Sequence, residues 1–111
     1  MSDVAEIDRV TLHDRLARGD ALKLIMASSN FAFRAKHIPG SLHFASDADL
    51  FAALGEDDDV VVYCSNIDCN ASLKLIRKLR ERGYRKVTHY GGGLIDWEDG
   101  GLALEGDWAT E

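Results

Sequence analysis

The segment VVVYCSNIDCNAS, residues 60–72, constrains the fold more than any other stretch. Residues 60–63 are an unbroken β-branched and aromatic run with no polar face. Such a strand has to be covered on both sides, as the central strand of a parallel sheet is. A polar loop with two cysteines, Cys64 and Cys69, follows it. The chain then enters residues 71–82, where Leu73, Ile76 and Leu79 recur at helical spacing with Leu75 beside them. Asn70 stands where an N-cap belongs, and Gly83 where a helix stops.

The flanking sequence repeats this alternation. Residues 11–19 predict a short helix with Thr11 near its N-cap and Gly19 as its stop, and residues 22–27 predict a strand. Residues 28–34 read as a polar turn with a helical turn around Phe31 and Phe33. Residues 38–40 form a bend, and 41–44 a brief extended piece. Residues 47–54 predict a helix ended by Gly55, residues 56–59 an acidic turn, and residues 86–90 another strand. A triple-glycine turn at 91–93 leads into a short helix over 94–98, and the tail carries Leu102 and Leu104. Strands alternating with helices predict an α/β fold: a small, mostly parallel sheet flanked by helices on both faces.

At 111 residues the chain is expected to form a single domain over 1–111, with one modest core from its 46% hydrophobic content. A net charge of −6 argues against nucleic acid or an anionic membrane as the main partner. The apolar run 24–27 is far too short to span a bilayer, and the opening MSDVAEIDRV has no apolar targeting core. A cytoplasmic location follows as the default, and there two cysteines do not read as a structural staple.

In open α/β sheets, sites form beyond the carboxyl ends of the strands. Cys64 lies there, ahead of a helix N-terminus whose first N–H groups have no intrahelical partners. A thiolate so placed is stabilised, and its pKa falls below the unperturbed ~8.5. Cysteine is also among the most buried residue types, so packing alone accounts for Cys64 equally well.

Residues 60–97 resemble the rhodanese-like (sulfurtransferase) domain family. The matching pieces are the strand and cysteine VVVYC, the helix ending in RGY, the strand KVTHY, and GGGLIDW, which is similar to the family's Gly-Gly turn and aromatic-bearing helix. Upstream, KHIPGSLHF resembles the family's Gly-His-Ile-Pro-Gly-Ala segment, and LHDRLARGDALKLI its first helix and second strand. The resemblance implies a rhodanese-like fold and double displacement with no cofactor and no metal. Cys64 would take sulfane sulfur from thiosulfate, another small donor or a protein persulfide. It would hold it as a persulfide and pass it to a thiol or cyanide. The loop residues Ser65, Asn66, Ile67, Asp68, Cys69 and Asn70 would bind the substrate through their N–H groups.

Three departures shape that expectation. The family's loop commonly runs Cys, four residues, Arg, Ser. Here Cys69 occupies the Arg position and Asn70 the Ser position. Matching the Ser to Ser72 instead lengthens the loop by two residues, as in phosphatase-like relatives. Those use an arginine fork, and no arginine lies between Cys64 and Arg77. Asp68 either repels a dianionic donor, favouring a neutral or protein-bound persulfide, or faces solvent or caps the helix. Met26 and Ser28 stand where the family often has Asp-x-Arg, a loss for which Arg34 or the loop itself would have to compensate. A catalytically weak interaction module is the alternative these departures suggest.

Cys69 is open to two readings: a loop cysteine without chemistry, or a resolving thiol that attacks the persulfide and leaves a disulfide with Cys64, which would suit a redox sensor. Zinc held by both cysteines with His37 or His89 lacks the tight ligand pairs usual for that metal. Lys74, Arg77, Lys78, Arg80, Arg82, Arg85 and Lys86 read as a solvated basic face. His37 is expected to bond the turn, and His43 and His89 to be structural. Trp97 and Trp108 are expected to cover the sheet edge.

Overall fold

The computed structural model describes residues 4–65 and 70–108. The described elements run β1 (Ala5–Glu6), α1 (Arg9–Ala17), β2 (Leu22–Met26), α2 (Asn30–Ala35), α3 (Asp47–Ala53), β3 (Asp59–Tyr63), α4 (Ala71–Glu81), β4 (Lys86–Tyr90) and α5 (Gly93–Asp99). The four strands form one parallel sheet in the order β1-β4-β3-β2. The valine-rich strand β3 lies inside it, with Val62 between Ile25 and His89 and Tyr63 between Met26 and Tyr90. Only β1 was unforeseen, because a two-residue strand has no period to detect.

Side chains alternate along each strand, so the sheet builds two cores. On one face Leu24, Met26, Val61, Tyr63 and Tyr90 pack with Leu12 of α1, Ile38, and Leu94 and Trp97 of α5. On the other, Ile25, Val60, Val62 and Val87 pack with Leu50 of α3, Ile76 and Leu79 of α4, Leu54 and Tyr84. Full burial of one such aliphatic side chain contributes roughly 1.5–3 kcal/mol. Trp97 is therefore a core residue, whose indole N–H donates to the Ala103 carbonyl at 2.9 Å, whereas Trp108 is exposed.

Several helix ends differ from expectation. Helix α1 starts two residues early because Asp8 is its cap, accepting from the Thr11 amide at 2.8 Å. That bond holds the Asp8 carboxyl below the usual range. Ser29 and Ser46 cap α2 and α3 in the same way. Helix α3 ends at Leu54, already extended, ahead of Gly55, and the Asp58 carboxylate then takes the Gly55 amide at 2.9 Å. Gly83 does stop α4, at φ +95°. Asn70 does not cap α4: its backbone is helical and its side chain makes no capping bond. The buried stripe of α4 is Ser72, Ile76 and Leu79, while Leu73 is 37% exposed. The basic side chains are partly tied down. Lys78 pairs with Asp47 at 2.8 Å, Arg85 pairs with Asp57, and Arg82 lies 4.1 Å above the Phe51 ring. Exposed pairs of this kind add little stability. Among the described residues no helix is long and apolar enough to cross a membrane.

Candidate functional site

Cys64 follows the last residue of β3, at the carboxyl end of the sheet. Its carbonyl accepts from the Leu94 amide at 2.9 Å, and the Ser65 carbonyl from the Ile95 amide at 3.0 Å. The first turn of α5 thus pins the start of the thiol loop. Gly93 permits this approach by taking φ +70°, a conformation that disfavours other residues. Of the predicted loop residues, Ser65 is half-buried and Asn70 exposed. Asn66, Ile67, Asp68 and Cys69 lie outside the described residues.

Cys64 belongs to neither apolar cluster, yet it is only 3% exposed and is disulfide-bonded. The burial is what the packing reading of Cys64 gave, and the disulfide departs from the default of reduced thiols, although a disulfide at Cys64 was one of the two readings of Cys69. The sulfur in this state is an oxidised, covered atom, and a disulfide-bonded cysteine does not titrate.

The HIPGS segment is locked beside the site by β3. The Tyr63 hydroxyl accepts from the Ile38 amide and donates to Ser41 Oγ, both at 3.0 Å, and Ser41 Oγ donates to the Ile38 carbonyl at 2.7 Å. Burial pushes the Tyr63 phenol up to about 12, against the stabilising bonds from Ser41 and Ile38. His37 serves α2, with Nδ1 on the Phe33 carbonyl at 2.7 Å and its ring stacked on Phe33 at 4.1 Å. His43 also stacks on Phe33, at 5.2 Å. His37 thus bonds helix α2 and not the HIPG turn as expected, whereas the structural role of His43 is present.

A cavity of about 360 Å³ opens at the carboxyl end of β2, lined among others by Ala27, Ser28, His43, Ala71 and Lys74. It reaches the first turn of α4, where the thiol loop ends. Met26 also lines the cavity, though the residue is almost wholly buried in the core. Arg34 lines a separate cleft with Phe31 and Trp108, so it does not replace the missing Asp-x-Arg in this cavity. Lys74 contributes a cation there.

A second polar feature joins three elements on the α4 side of the sheet. Ser72 Oγ lies 3.0 Å from His89 Nε2, and His89 Nδ1 lies 2.9 Å from Glu6 Oε2. Lys74 belongs to the basic face that read as solvated, and no motif marked this line of side chains. The one available signal was a serine on the apolar stripe of α4, four residues before Ile76. Among the described residues no group of three or more His, Cys, Asp and Glu side chains is arranged to hold a metal ion.

A family model described as the Rhodanese-like domain matches residues 8–99. The HTH-type transcriptional regulator Rv0324 of Mycobacterium tuberculosis is 30% identical over 102 residues, which cover 88% of this chain and 45% of that protein. The chain therefore spans less than half the length of that relative. The BH2092 protein of Bacillus halodurans superposes with a TM-score of 0.87 at 22% identity, covering 95% of this chain and 79% of the other. The rhodanese-like domain of Alr3790 from Anabaena sp. gives 0.83 at 22% identity, over 97% and 82%. A thiosulfate sulfurtransferase from Pseudomonas aeruginosa gives 0.78 at 19% identity, over 93% of this chain and 20% of that one. At these identities the superpositions establish the shared fold.

Proposed function

Since the chain belongs to the rhodanese-like domain family, we propose that it transfers sulfane sulfur through a persulfide on Cys64. The observation that carries this reading is an oxidised cysteine at the carboxyl end of an inner strand, where open α/β sheets place their sites. The cycle starts when a thiol reductant opens the disulfide with two electrons and frees the Cys64 thiolate. The thiolate attacks the outer sulfur of thiosulfate, forming a Cys64–S–S anion and expelling sulfite. A persulfide donor reacts in the same way and leaves as its thiolate. Cyanide or an acceptor thiolate then attacks the outer sulfur and regenerates the Cys64 thiolate. Loop N–H groups, including that of Ser65, would stabilise the persulfide anion, and Lys74 would draw anionic donors into the neighbouring cavity.

Intact-mass spectrometry of the reduced protein tests this. A persulfide donor should add the mass of one sulfur atom, mapped to Cys64 and removed by cyanide. No adduct on a Cys64 that alkylates freely would rule out carriage from that donor.

A second reading is favoured by the disulfide itself and by the likeness to a transcriptional regulator. The chain has one other cysteine, Cys69, and the two would form a thiol couple that senses oxidants. Cys69 would also resolve a Cys64 persulfide, expelling hydrosulfide as the disulfide closes. Mild oxidation should remove two free thiols and dithiol reductants restore them, whereas an unchanged thiol count excludes the couple.

A further inference from the structure

We propose that Glu6, His89 and Ser72 form a relay that positions the exit of the thiol loop, making His89 a positioning residue for chemistry at Cys64. Its effect on Cys64 rests on the sulfur-transfer reading, but the relay itself does not. Strand β1 pairs Glu6 directly with His89 of β4, which brings the carboxylate to Nδ1. An ionised carboxylate only accepts, so Nδ1 carries the hydrogen, and in the neutral imidazole Nε2 keeps its lone pair. The Ser72 hydroxyl must then donate to Nε2, which fixes its orientation. Ser72 is 1% exposed, so this hydroxyl is shielded from outside substrates and the trio is not an acyl-transfer triad.

What the relay holds is the start of α4. Ser72 is the second residue of that helix, and Asn70 supplies no capping bond. The loop is therefore held at both ends. The Leu94 and Ile95 amides grip the carbonyls of Cys64 and Ser65, and His89 grips Ser72. Gly91 leaves the room this needs, since a Cβ there would lie 3.1 Å from Glu6 Oε1 and 3.5 Å from His89 Cε1.

The test uses the full chain, reduced, with two readouts. Imidazole ¹⁵N spectra should show His89 as the Nδ1–H tautomer, with the Nε2–H form appearing in Glu6→Ala. The alkylation rate of Cys64 at fixed pH should fall about five- to tenfold in Ser72→Ala and His89→Leu. It should stay within about twofold in Ser72→Thr and Glu6→Gln, which keep the hydroxyl and the acceptor. An Nε2–H tautomer in the parent protein, an unchanged rate in Ser72→Ala, or an equal fall in Ser72→Thr would overturn the relay. If these patterns hold and Cys64 still loads no sulfur, the relay stands and the sulfur-transfer reading fails.

Discussion

The two faces of the sheet bury different chemistry. The face under α1 and α5 is aromatic, and each of its buried polar tips has a partner: Tyr63 with Ser41 and Ile38, Trp97 with Ala103, and Tyr90 with Asp96 at 2.6 Å. The face under α3 and α4 is mainly aliphatic, with the Tyr84 hydroxyl donating to the Leu54 carbonyl, and a further set of polar groups gathers at or near the rim: Ser72, His89 and Lys74. Cys64 is next in the alternation after Val60 and Val62, which belong to this second face. The difference separates two tasks. Internally satisfied aromatic groups fix loops such as HIPGS, because leaving their partners unpaired is costly. A mainly aliphatic wall supplies stability with fewer such demands and leaves the polar rim for reactive groups.

The largest effect should come at that rim. Cys64→Ser should abolish sulfur loading by intact mass, while variants of the aromatic face keep full loading per folded molecule. Next is the aliphatic wall: Leu79→Ala, at a fully buried position, should cost about 2–5 kcal/mol in chemical denaturation. Tyr63→Phe comes third. It leaves the Ile38 amide without its acceptor and Ser41 Oγ without its incoming donor, and should cost about 1–3 kcal/mol.

Tyr63 also sets a pH signature. Its folded pKa is raised to about 12, from about 10 when unfolded. Its contribution is full below the unfolded value and is lost as pH rises through the folded one. The parent should therefore lose stability between about pH 10 and 12, and Tyr63→Phe should lose less over that window. The smallest effect belongs to Lys74→Ala, which should raise the KM for thiosulfate about two- to fivefold, with kcat little changed and the difference shrinking in salt. An equal effect on a neutral persulfide donor would remove Lys74 from anion attraction.

Much of the fold was legible where a short segment carries its own signal. The 60–63 run predicted an inner strand covered on both sides, and Val60, Val61, Val62 and Tyr63 are all 0% exposed. The RGY ending marked the helix stop at Gly83. The candidate site was legible only as a position. Cys64 was placed at a strand end correctly, but the sequence left open whether it is packed and whether it is bonded to a second thiol. The capping of α1 was misplaced because Asp8 and Thr11 both suit an N-cap, and only one of them meets a free amide three residues on.

By itself the sequence determined the alternation of strands with helices, the two-sided burial of β3, and the placing of a thiol where a parallel strand ends. Side-chain spacing along a backbone of fixed geometry suffices for that. Only the tertiary structure decided that Glu6 would meet His89, 83 residues away, that His89 would meet Ser72, and that Lys74 rather than Arg34 would face the cavity. Such contacts depend on strand order, register and helix rotation, which arise when the whole sheet closes over its two cores and have no local trace in the chain.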